Sequence, residues 1–163
     1  MEKSFGGSGY DLACAQAKGP LTYTRNDYSP NIKSVELNYP FIENLFFVHL
    51  NKKKDSHKAV ASFNLNKVEV SIINQINKLT ELIINCNDQD NFNFYLKTHE
   101  KTIGTILNRR TIQEVFFSDF KGIVKSLGAW GGDFVLASGD KESPNYFKKL
   151  GYTTIISFKE MIL

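Results

Sequence analysis

Val68, Ile72, Ile76, Leu79, Ile83 and Cys86 recur at steps of 4, 4, 3, 4 and 3 residues, the period of one face of an α-helix. That stripe predicts a helix over Lys67 to Cys86 with one side that has to be covered. A second apolar face follows closely. Phe92, Tyr95, Leu96, His99, Ile103 and Ile106 line one side of a helix predicted from Asn91 to Leu107, with Asn87-Asp88-Gln89-Asp90 as the turn between. Two helices on so short a link pack antiparallel and cover one face of a sheet.

The strands to make that sheet are legible around the helix pair. Asn44 to Leu50 is a nearly continuous apolar run of strand length, which predicts burial on both faces. Leu21 to Arg25 and Ile32 to Asn38 alternate and predict a hairpin across a loop containing Pro30. Phe134 to Ser138 and Thr153 to Phe158 supply two more strands. Ser118 or Asp119 is placed to N-cap a third helix with Phe120, Val124 and Leu127 inward, ending at Gly128. Ser143-Pro144 opens a short helix through Lys149, and Gly151 stops it. Thr111 to Phe117 is ambiguous. The expected fold class is α+β, with helices layered on one face of a mostly antiparallel sheet.

Composition narrows the partners. A chain of 163 residues builds one or at most two small domains, and 42% apolar with 13% aromatic residues excludes a disordered chain. A net charge of +3, with Lys52-Lys53-Lys54 broken by Asp55, argues for neither nucleic acid nor a membrane surface. No signal-peptide pattern opens the sequence and no apolar run approaches the ~18 residues of a membrane span, so the cytosol is the expected location. Cys14 and Cys86 sit in apolar helical contexts and read as reduced, buried, small hydrophobes. His49 falls in a strand, His57 in a charged loop and His99 on an apolar stripe; none has a metal-ligand spacing, so no metal site is predicted. Arg109-Arg110 suits the C-terminal dipole of the second helix.

Two glycine-dense turns are left over from this scheme. Gly6-Gly7-Ser8-Gly9-Tyr10-Asp11 leads into Leu12 to Ala17, and Gly128-Ala129-Trp130-Gly131-Gly132-Asp133 leads into Phe134 to Ala137. Glycine reaches positive φ at little cost and lets backbone approach a ligand closely. Consecutive N–H groups in such turns form nests for anions such as phosphate. Either turn alone reads as an ordinary connection. The pair, each with an acid beside or just beyond its last glycine, points to a site.

Gly7-Ser8-Gly9-Tyr10-Asp11-Leu12-Ala13 resembles the acceptor-side motif of the GHMP kinases, in the branch that reads Gly-Tyr-Asp-Ile-Ala, similar to mevalonate and phosphomevalonate kinases. The turn at Gly128, Ala129, Trp130, Gly131 and Gly132 resembles that superfamily's C-terminal glycine motif, and the two occur in family order. The resemblance implies ATP-dependent phosphoryl transfer to a small-molecule hydroxyl, mevalonate- or phosphomevalonate-like, with ATP and Mg²⁺ as cofactors. It implies Asp11 as the catalytic carboxylate, Gly7, Ser8, Gly9 and Tyr10 around the acceptor, and the second turn facing the phosphate. It also implies a ferredoxin-like C-terminal domain over 43–163 preceded by the tail of an S5-like N-terminal domain over 1–42. The family's Gly-Leu-Gly-Ser-Ser-like ATP loop does not occur here, and Trp130 and Asp133 depart from the pattern. The chain is therefore expected to be the C-terminal portion of such an enzyme, inactive alone, with the missing half or a second copy as partner. The alternative is a non-catalytic module of the same fold that binds a metabolite or a protein.

Overall fold

The computed structural model describes residues 9–25, 29–51, 68–128 and 132–162. The chain divides into two compact units, Met1–Leu37 with Ile162–Leu163, and Asn38–Met161.

The first unit is small. A short helix α1, Tyr10–Gln16, is followed by β1, Leu21–Thr24, and β2, Asn31–Ser34, paired antiparallel with Leu21 opposite Ser34 and Thr24 opposite Asn31. The expected hairpin is present, with a shorter second strand. Among its described residues only Ala13 is buried.

The second unit carries the core. A 3₁₀ turn at Ile42–Asn44 leads into β3, Leu45–His49. The helix pair follows as α2, Val70–Ile84, and α3, Gln89–Ile106. Then come α4, Ile112–Phe116, β4, Ile123–Ser126, β5, Phe134–Ser138, α5, Ser143–Lys149, β6, Ile155–Ser157, and α6, Phe158–Met161. The strands form one antiparallel sheet in the order β4-β5-β3-β6. The molecule is mixed α+β with antiparallel sheets.

The apolar run in β3 is buried on both faces, as its composition demands: Leu45, Phe46, Phe47 and Val48 are each 8% exposed or less. Strand pleating alternates their side chains. Val48, Val124, Val135 and Ala137 cluster with Phe147 of α5 and with Phe117 and Phe120. On the other face Phe47 stacks on Phe158 at 5.5 Å, Phe158 meets Tyr39, and Tyr39 and Phe41 both pack on Phe92 of α3. The helices are thus divided between the two faces, which corrects the expected one-sided layer.

The third helix expected from Ser118 or Asp119 is also corrected. Val124 lies in a strand, and the β-branched pair Ile123-Val124 pairs with β5, Val124 opposite Ala137. The ambiguous stretch before it is the helix instead, opened by a capping box: Thr111 Oγ1 accepts from Glu114 N at 3.2 Å, and Glu114 Oε2 accepts from Thr111 N at 2.9 Å.

The sheet's outer strands would present unpaired backbone groups. In β4, the N–H of Val124 donates to Gln113 Oε1 at 3.1 Å, and that of Ser126 to Glu100 Oε1 at 3.1 Å. In β6, the N–H of Ser157 donates to Glu160 Oε2 at 3.0 Å. The two cysteines are free, but Cys14 is exposed and Cys86 only partly buried, against the expectation of two core thiols.

Candidate functional site

Gly9 turns the chain into α1 with φ at 78°, a left-handed conformation that a side chain strains. Its missing Cβ also leaves room: one placed there would stand 3.2 Å from the Tyr23 hydroxyl oxygen. The helix begins at once, with Ala13 N–H donating to Gly9 O at 3.1 Å. Asp11 falls in the first turn, where a carboxylate suits the helix dipole, and is exposed. Tyr10 lays its ring edge-on to Tyr23 at 5.8 Å. A hydrogen bond with Cys14, together with burial, pushes the Tyr10 hydroxyl up to about 12. Gly9, Tyr10 and Asp11 are thus presented on one tight turn. Gly7 and Ser8 lie outside the described residues.

The second glycine turn is the hairpin between β4 and β5. Leu127 N–H donates to Phe134 O at 3.3 Å and Gly132 N–H returns to Leu127 O at 3.1 Å. Gly128 has φ at 63°, and a Cβ on Gly132 would meet the Leu127 carbonyl oxygen at 3.0 Å. Positive φ favours glycine at position 128, and the nearby Leu127 carbonyl favours it at position 132. Asp133 is exposed and its carbonyl accepts from Leu50 N at 2.7 Å, which continues the β3–β5 pairing. Ala129, Trp130, Gly131 and the Lys52 to Lys58 stretch with His57 lie outside the described residues. Asp11 belongs to the first unit and Gly128 to the second.

A cleft of about 530 Å³ opens at the opposite end of the β4–β5 pair. Gln89 and Asn93 of α3, Asp119 and Phe120 before β4, and Asp140, Ser143 and Tyr146 beyond β5 line it. Its polar groups are mostly committed within the fold. Asp140 Oδ1 accepts from Ser143 Oγ at 3.0 Å and from Glu142 N at 3.0 Å; Asp119 Oδ1 accepts from the Tyr146 hydroxyl at 2.6 Å. Gln89 donates to Gly139 O at 2.6 Å and accepts from Asn44 Nδ2 at 2.8 Å, fastening α3 to the end of β5. Burial and the Asp119 hydrogen bond push the Tyr146 hydroxyl up to about 12. Sequence reasoning misses this cleft. Its one local signal, Asp140-x-x-Ser143, closes a turn here rather than addressing a ligand.

His99 is partly buried, and its Nδ1 has no hydrogen-bond partner among the described residues. Burial, aided by the Lys125 charge, lowers it to about 4. It is held neutral as a packing residue on the stripe where the sequence places it. No group of three or more His, Cys, Asp or Glu among the described residues is placed to hold a metal ion, and none of their helices is long and apolar enough to cross a membrane.

No family model matches this chain, and no curated protein matches it. Among solved structures it is similar to the Lin0012 protein from Listeria innocua, with a TM-score of 0.57 at 17% identity over 76% of this chain. At that identity the likeness concerns the fold alone. The chain spans 40% of the length of the Listeria protein.

Proposed function

We propose that this chain carries part of a small-molecule kinase of the GHMP kind, one that transfers a phosphoryl group from ATP to the hydroxyl of a mevalonate- or phosphomevalonate-like acceptor. The observation that carries the reading is the Gly9 turn, a left-handed glycine that presents Tyr10 and the exposed Asp11 at the start of a helix. The order β4-β5-β3-β6, with helices between β3 and β4 and between β5 and β6, supports a ferredoxin-like reading of the second unit. Its helices on both faces of the sheet depart from the simplest form of that fold.

In this reading Asp11 orients the acceptor hydroxyl or takes up its proton, positioning being the larger part for a weak base, while Gly9 and Tyr10 shape the wall beside it. The phosphate-facing role of the second glycine turn comes to Gly128 and Gly132 from the family resemblance alone. Phosphoryl transfer asks for positioning and charge neutralisation more than covalent help, which such a sparse set of groups is able to supply. Mg²⁺, if it takes part, would be held mainly by the nucleotide phosphates, for no cluster of three or more His, Cys, Asp or Glu among the described residues is placed to hold it. Without a Gly-Leu-Gly-Ser-Ser-like loop the chain depends on further polypeptide for nucleotide binding.

Thermal-shift titration of the chain with mevalonate, phosphomevalonate, homoserine and ATP-Mg tests this. Stabilisation by one of the acceptors, lost in Asp11→Asn, is the expected result, with no ATP turnover by the chain alone. Indifference to all the acceptors overturns the reading. The absent ATP loop favours one alternative, a non-catalytic module that binds a metabolite or a protein; acceptor binding unchanged by Asp11→Asn would select it.

A further inference from the structure

We draw no further inference here: the strongest candidate, the cleft between the start of α3 and the start of α5 with Asp90, Asp119, Asp140 and Glu142 on its walls, is an acidic cluster whose hydrogen bonds from Ser143, Asn145 and Tyr146 hold its own fold together, and no second observation shows what ligand it would take.

Discussion

Glu100 accepts the outward backbone N–H of Ser126 with one carboxylate oxygen, at 3.1 Å, and meets the Lys125 ammonium with the other, at 3.4 Å. Only 6% of Glu100 is exposed, so this carboxylate stabilises a buried ion pair and closes the edge of the sheet at once. Removing it leaves a half-buried ammonium and an unpaired N–H. Glu100→Ala is expected to cost about 3 kcal/mol, read from urea denaturation midpoints. Glu100→Gln keeps an acceptor for Ser126 and should cost distinctly less. An alanine variant as stable as the native chain would show that the pair contributes nothing.

The depressed His99 gives stability a pH dependence of definite sign. Its folded value of about 4 lies below the ordinary 6.5, so the unfolded chain binds the proton first as pH falls. The contribution is fully present above about pH 6.5 and is lost as pH drops toward 4, on the order of 3 kcal/mol at the limit. His99→Leu should flatten the stability–pH curve in that window relative to the native chain. Parallel curves for the two proteins would contradict the assignment. The Glu114 and Glu160 carboxyls, lowered by hydrogen bonds to Thr111 and Ser157, titrate equally in both proteins and cancel in the difference.

Two glycines should answer differently to alanine. A Cβ on Gly122 would stand 2.0 Å from the Ser138 carbonyl oxygen, a backbone atom that β4–β5 pairing holds in place. Gly122→Ala is expected to cost at least about 3 kcal/mol by overpacking. Gly128 has φ at 63°, and a methyl group added there would meet nothing within 4 Å, so Gly128→Ala should cost about 1–2 kcal/mol of backbone strain alone. Calorimetric melting of the two variants separates clash from strain; equal losses would refute the distinction.

Asp11 is exposed, and α1 has no side-chain cap at Gly9 that its carboxylate would support. Asp11→Asn should leave stability within about 0.5 kcal/mol. Under the proposed function, the same change in a chain supplied with an ATP-binding portion should lower kcat by about 10²-fold or more, measured by coupled ADP release. Unchanged turnover would remove Asp11 from the chemistry.

The elements with a single clear period are readable from sequence: α2 by its stripe, β3 by its unbroken apolar run, α5 by Ser143-Pro144. Phe120, Val124 and Leu127 also fit a helical spacing, yet Val124 is a strand residue because β5 offers it a ladder, a partner no local window contains. The Thr111-x-x-Glu114 capping box marks α4, but the helix it opens is only five residues long, too short for a periodicity to reinforce the signal. Burial of Glu100 within the apolar row of Phe92 and Leu96 has no local signature, for it answers to Ser126 and Lys125 far along the chain. For the candidate site, the Gly9 and Gly128 turns are legible as positive-φ glycines. Which groups converge around a ligand is a matter of tertiary placement, and periodicity carries none of that.

The polar caps along β4 and at β6 also bear on how this protein behaves in a crowded solution. Fibrils grow by recruiting fresh chains onto open rims, one ladder after another. With Gln113, Glu100 and Glu160 occupying those sockets, the larger sheet offers an incoming chain few places to begin, and any tendency to precipitate should start from the small hairpin instead.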